Sequence, residues 1–266
     1  MAENTNYLSD KEVSTTKFAQ LILETGTFLL ASGAHCGRIK TNIDRLAQRW
    51  GFDVRIEPSF KGLLVSVENL NDSDDYVTLY KQSPSHNVHL QILTAISLLS
   101  WQVAEGELSF NDTVQKMKEI KKIPHYNSWL ISAAVGMACA GLCIFALGDI
   151  YNAGIAFIGA FIGSIFRFEI TKRNFNPMIA IIISAFITTM ITGAGSLLNI
   201  GINPQAAMAT AVLYLIPGVP LINSVIDLIE GYLSSAVNRA LFAGFILLCI
   251  AVGMTLCITI LGISNF

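Results

Sequence analysis

Apolar and polar positions follow two different rhythms along this chain, and the change falls near Ile123–Pro124. Before it, apolar side chains recur at helical spacing from about Lys11 to Ser32 (Val13, Phe18, Leu21, Ile22, Phe28, Leu29), and Gly33 ends the run. His35 to Trp50 reads as a second helix, stopped by Gly51. FDVRIEP, KGLLVSVE and DYVTLYK are short runs of Val, Ile, Leu and aromatics with turn residues between them, the pattern of strands. Asn87 to Glu105 returns to helix, and GELSFNDTVQKMKEIKK adds an amphipathic one with Ser109 and Asp112 as capping residues. Residues 1–122 therefore read as an α/β domain.

After the joint the rhythm gives way to long apolar runs, at about 129–147, 151–168, 177–197, 205–229 and 239–262. Each is near the roughly 20 residues that cross a bilayer core. The pattern predicts an α-helical integral membrane domain, 123–266, of about five transmembrane helices with the fourth one broken, behind an N-terminal cytoplasmic α/β domain. In the second run Gly159 and Gly163 stand four apart with Ala156, Ala160 and Ser164 on adjoining rows. Such a face lets helix backbones approach closely, either within the bundle or against a second copy in a homo-oligomer.

Charge sharpens the division. Of 17 Lys/Arg and 19 Asp/Glu, only Arg167, Lys172, Arg173, Arg239, Asp149, Glu169, Asp227 and Glu230 follow Lys122. The Lys/Arg lie before the first run, between the second and third, and at the start of the fifth, while the alternate loops around Gly148–Ile150 and Asn199–Pro204 hold none. The positive-inside rule then sets the N-terminus in the cytoplasm and, after five spans in the cell (inner) membrane, the C-terminus outside. The opening MAENTNYLSDKEV lacks the pattern of a secretory signal. A net charge of -2 without a basic, aromatic-interleaved patch gives no nucleic-acid reading. Four of the five cysteines sit in apolar runs, which is not a disulfide framework.

The stretch AVLYLIPGVPLINSVIDLIEG carries the candidate chemistry. Pro217 and Pro220 each remove a donor and should free the carbonyls of Leu213 and Ile216, and Gly218 permits angles its neighbours resist. Broken backbone at membrane depth is tolerated where it is buried in protein or lines a wet cavity. A half-helix starting at Pro217 would aim its positive end at an acidic cargo, as discontinuous helices of secondary transporters do. Asn223 and Asp227 share a helical face, and Asp227 lies about 15 Å from the break, either as a titrating carboxylate or as the partner of Arg239.

These residues carry a resemblance. VLYLIPGVPLINSVIDLIEGYLSSAVNRAL is similar to the signature of the threonine/serine exporter family, with Pro217, Gly218, Asn223, Asp227, Gly231 and Arg239 in the pattern. LETGTFLLASGAHCGRIKTNIDRLAQRWGF resembles the family's helix–Gly–Arg–helix opening through Gly33 and Arg38, although Lys40 stands where the family often has an acid. GELSFNDTVQKMKEIKKI resembles its pre-membrane helix. The resemblance implies a secondary exporter of a small carboxylate-bearing metabolite, ion- or proton-coupled, and the larger subunit of the split branch, whose partner is a short membrane-only subunit. Some members of that branch are assigned succinate export. Together with Pro220 of the break, it makes Pro217, Gly218, Asn223, Asp227 and Arg239 the expected substrate-binding residues, with no cofactor or metal and with membrane lipid as the surrounding partner.

Two other functions compete. A membrane-tethered enzyme would need a centre such as Cys36, His86 and His89, but no zinc spacing, Gly-x-Ser-x-Gly elbow or phosphate-binding loop accompanies them. A regulatory or scaffold subunit, whose soluble domain senses a ligand, is the remaining alternative.

Overall fold

A computed structural model of the protein describes residues 13–59, 61–84, 88–124 and 126–263. The chain forms two compact units. One takes residues up to 125 together with Val219–Leu241, and the other takes Tyr126–Gly218 together with Phe242–Phe266.

The first unit opens with helices α1 (Thr15–Ala31) and α2 (Cys36–Trp50), followed by strands β1 (Phe52–Ser59), β2 (Gly62–Asn69) and β3 (Asp72–Gln82). The strands pair as an antiparallel meander in the order β1-β2-β3, with Val54 opposite Val67 and Val65 opposite Leu79. Strand β2 turns Leu63, Val65 and Val67 to the interior, where they meet Phe18, Ile22 and Leu29 of α1 and Ile39, Ile43 and Leu46 of α2. The rings of Phe18 and Phe52 stack at 4.3 Å between centroids, and Trp50 closes edge-on to Phe18 at 5.8 Å. Helices α3 (Leu90–Ala104) and α4 (Phe110–Ile120) complete this core with Ile92, Leu93, Ile96, Leu99, Val103 and Met117. Ser109 and Asp112 form a reciprocal capping box on α4. Arg38 ties α2 to α3 by donating to Leu93 O at 3.2 Å and Ser97 Oγ at 3.1 Å, and Lys40 pairs with Asp44 one turn on. His86 lies outside the described residues.

The second unit contains helices α5 (Ser128–Phe145), α6 (Ile150–Lys172), α7 (Pro177–Leu197) and α8 (Pro204–Ala211), then a 3₁₀ turn at Leu213–Leu215. The helix starts follow one rule. Asn127, Asp149, Asn176 and Asn203 each accept from a backbone N–H of the first turn, and Pro177 and Pro204 occupy first positions where the missing N–H costs nothing. Asp149 and Asn152 also tie two loops together: Asn152 donates to Ile200 O at 2.8 Å and accepts from Asn203 N at 3.0 Å. Helix α6 packs against α5, α7 and α8. The buried row of Ala156, Gly159, Ala160, Gly163 and Ser164 is the expected small-residue face, turned into the unit's own interior.

Helices α5, α6, α7 and α10 (Leu233–Leu261) are long and apolar enough to cross a membrane, with 18, 23, 21 and 29 residues. The pair Pro204–Leu215 and α9 (Gly218–Ile229) makes a fifth candidate, bent by 62° at its break. The expected fourth, broken span is therefore present. Helix α10 starts at Leu233 rather than near 239, because its first turns carry Ser234, Ser235 and Asn238, which a hydropathy reading leaves out. Helix α6 likewise runs past 168 to Lys172, with Arg173 paired to Glu169 at its end.

Candidate functional site

The break is built from the backbone up. Ile216 adopts φ −62°, ψ 128°, the extended conformation imposed on a residue before proline. The carbonyls expected to be orphaned are re-paired locally: Leu213 O accepts from Ile216 N at 3.1 Å, and Ile216 O accepts from Gly218 N at 2.9 Å. Pro220 sits in the first turn of α9, where no intrahelical N–H is needed. Gly218 departs from expectation. It has no positive φ, and a Cβ added to it would meet nothing within 4 Å.

Asn223 and Asp227 share one face of α9 and Glu230 follows just past its end, at relative positions i, i+4 and i+7. That face meets the short turn between α1 and α2, within the same compact unit. Gly33 ends α1 at φ +94°, with Ala34 N bonding back to Leu29 O at 3.0 Å. His35 then caps α2, its Nδ1 accepting from Arg38 N at 3.2 Å. This turn presents two free carbonyls and two free N–H groups, and the later segment meets all four. Asn223 Nδ2 donates to Gly33 O at 2.8 Å, and Arg239 Nη2 donates to Ala34 O at 2.9 Å. Cys36 N donates to Asp227 Oδ1 at 2.7 Å, and Gly37 N donates to Glu230 Oε2 at 2.9 Å. Two carboxylates thus rest on the N-terminus of α2, where unpaired N–H groups and the helix dipole favour negative charge. Arg239 Nε lies 3.0 Å from Asp227 Oδ2, and the two side chains are 10% and 0% exposed. Ser235 adds a bond to Pro58 O at 2.9 Å, and Gly231, at φ +87°, ends α9 with Tyr232 N returning to Asp227 O at 2.8 Å.

His35, Asp227 and Glu230 bring ligand-type atoms within 4.8 Å of one another. The set does not fit a metal, because those atoms already serve Arg38 N, Cys36 N, Gly37 N and the Arg239 guanidinium. A cation there would also face a positive helix end and an arginine. Beside this turn burial pushes the Cys36 thiol up to about 12.

The expected site residues consequently divide. Asn223, Asp227 and Arg239 are brought together on the α1–α2 turn, while Pro217, Gly218 and Pro220 belong to the break. Reading along the chain missed His35, Glu230 and the bare peptide groups of Gly33, Ala34, Cys36 and Gly37. The signals available for them were the helix stop at Gly33 and the seven-residue spacing from Asn223 to Glu230.

An α/β core followed by four to five apolar spans, one of them bent at paired prolines, defines a multi-pass membrane protein with an added N-terminal α/β domain. The chain belongs to the ThrE family, described as "Putative threonine/serine exporter", whose family model matches residues 20–261. Among curated relatives it is similar to a protein of Klebsiella aerogenes named "Probable succinate transporter subunit YjjP", 26% identical over 93% of this chain and 95% of the relative. A protein of the same name from Escherichia coli is also 26% identical, over 93% and 96%. The "Probable threonine/serine exporter" of Mycobacterium tuberculosis is 23% identical over 96% of this chain but 48% of its own length. No solved structure matches significantly.

Proposed function

We propose that this chain is one subunit of a secondary exporter for a small carboxylate-bearing metabolite, either an amino acid of the threonine/serine type or a dicarboxylate such as succinate. The observation that carries the reading is the 62° break at Ile216–Pro217, in a chain that matches an exporter family over nearly its whole length. A span interrupted near its middle is the usual builder of the substrate site in a gradient-driven carrier. The chain works with a short membrane-only partner subunit, which the word "subunit" in the names of its relatives supports. It performs no chemistry of its own. Its N-terminal domain lies in the cytoplasm and its C-terminus outside, as the lysines and arginines flanking α5 and between α6 and α7 favour.

Within this reading the six expected residues have two tasks. Pro217, Gly218 and Pro220 form the hinge that faces the cargo. Asn223, Asp227 and Arg239 grip the α1–α2 turn, so that displacement of α9 and displacement of the cytoplasmic domain are one motion. The test is efflux from cells expressing this chain with and without its partner, loaded with succinate, threonine or serine. Export of one class only when both subunits are present, and its loss when the ion gradient is collapsed, is the expected result. Retention of all three by the complete pair overturns the exporter reading and leaves the sensor or scaffold role.

A further inference from the structure

Arg167 lies near the C-terminal end of α6, within the second unit. It follows Gly163 by four residues and Ala160 by seven, so it lies, half-buried, in line with the buried face of α6 formed by Ala156, Gly159, Ala160, Gly163 and Ser164. Lys172 and Arg173 beyond it are exposed, and Arg173 has Glu169 for a partner at 2.9 Å. Among the described residues Arg167 makes no ion pair.

One turn before it on the same face, Gly163 lies against the Tyr214 hydroxyl and Thr188 Oγ1, so Arg167 stands one helical turn from that pair. Tyr214 stands in the 3₁₀ turn just before the break, and its hydroxyl lies 3.1 Å from Thr188 Oγ1 of α7, which itself donates to Gly159 O at 3.3 Å. Gly163 makes this convergence possible, since a Cβ there would collide with both Thr188 Oγ1 and the Tyr214 hydroxyl. Ser184, one turn before Thr188 on the same face, has its carbonyl 3.2 Å from that same Cβ position. Its hydroxyl is fully buried and has no hydrogen-bond partner. Ser132 and Ser164, whose hydroxyls are 3.1 Å apart, continue the row.

The charge balance of this row is one-sided. It holds a guanidinium and several hydroxyls, whereas the acids of the second unit, Asp149 and Glu169, are occupied at a loop and at Arg173. An unpaired cation on the inner face of a membrane helix calls for a counter-charge, and a guanidinium matches a carboxylate with two parallel donors. We propose that Arg167, Tyr214, Thr188 and Ser184 form the carboxylate subsite of the carrier, and that it selects a net-anionic dicarboxylate over a zwitterionic amino acid. One carboxylate lies on Arg167 with the Tyr214 hydroxyl donating to it. The remainder of the cargo takes the orphaned Ser184 hydroxyl. An α-ammonium group would find no acid in this row and would be repelled by Arg167. The inference rests on the exporter reading and deepens it.

The test measures ligand-induced thermal stabilisation of the purified full-length chain, together with efflux in the presence of the partner. Succinate should stabilise the wild-type chain, while succinamide and threonine should not. Arg167→Gln should weaken succinate binding more than tenfold and Tyr214→Phe by about tenfold, each judged against its own melting temperature without ligand. Arg167 acting only as a topological anchor would leave Tyr214→Phe binding like wild type, and that result overturns the subsite. So does equal stabilisation by threonine, or none by any dicarboxylate. Efflux separates the two levels: succinate binding without export sinks the exporter reading alone, and export undiminished in both variants sinks the subsite alone.

Discussion

Arg239 Nε stands 3.0 Å from Asp227 Oδ2 while the other ends of both side chains hold peptide groups some 190 to 205 residues away, at Cys36 N and Ala34 O. The pair is thus the centre of a four-contact grip rather than an isolated bridge. Removing one member of a buried pair costs about 3–5 kcal/mol, because the other charge is left without compensation. Arg239→Gln should therefore destabilise the protein by that order. Asp227→Asn keeps an acceptor for Cys36 N and should cost less than Asp227→Ala, which also uncaps α2. Thermal unfolding of the three purified variants gives the ranking. Equal losses for Asp227→Asn and Asp227→Ala would show that the α2 N-terminus gains nothing from the carboxylate.

Two glycines near this grip and the break should respond oppositely to alanine. A Cβ on Gly37 would run into the Glu230 carboxylate, whereas a Cβ on Gly218 meets open space. Glu230 is flexible enough to withdraw, so Gly37→Ala should cost about 1 kcal/mol, the worth of the hydrogen bond it breaks. On a Glu230→Ala background the same substitution should cost almost nothing, since the obstacle and the bond are both gone. Gly218→Ala should lie within about 0.5 kcal/mol of wild type. The four melting temperatures decide the matter.

The Cys36 thiol supplies a pH signature. Burial raises it from an ordinary value of 9.0 to about 12. The native state thus holds this proton more tightly than the unfolded chain, so its contribution to stability is complete below pH 9 and is lost as pH rises through 12. Glu24 acts at the other end. Burial alone would raise it, but the Lys121 ammonium bonded to it, with Lys81 and Lys118 nearby, holds it below its usual value. Stability from Glu24 is present above the ordinary carboxylate range and falls away in acid. Mass-spectrometric mapping of alkylation at pH 8 should find Cys36 slow to react in wild type and fast in Asp227→Ala, where α9 no longer covers the turn.

Much of this architecture was legible along the chain because its causes are local. Paired prolines in an apolar run bend it, Asn-Pro starts a helix, and Gly33 and Gly51 stop one. Asn223 and Asp227 could be placed on a common face by spacing alone. What they grip could not, because a turn's unpaired carbonyls and N–H groups leave no compositional trace and their partners are nearly 200 residues distant. The same holds for the hydroxyl row: Tyr214 meets Thr188 and the Gly163 face only when α6, α7 and the 3₁₀ turn are assembled. Gly218 fails in the other direction. Standing between two prolines, it has the sequence context of a backbone outlier, yet its φ is ordinary and Ile216 before it takes the extended conformation.

The break itself makes the sharpest prediction. With Pro217 and Pro220 both replaced by alanine, nothing prevents α8, the 3₁₀ turn and α9 from joining, since each residue regains its N–H and the ring clash with the carbonyl four residues back disappears. Straightening a 62° bend between two twelve-residue arms should lengthen the distance from Gln205 to Leu228 by roughly 5 Å, at a rise of about 1.5 Å per residue. Spin labels at these positions would read it. If the hinge faces the cargo, export should fall more than tenfold while the amount of protein in the membrane stays constant. A lengthened span with undiminished efflux would take the bend out of the transport cycle. An unchanged distance would show that packing, and not the prolines, holds the angle.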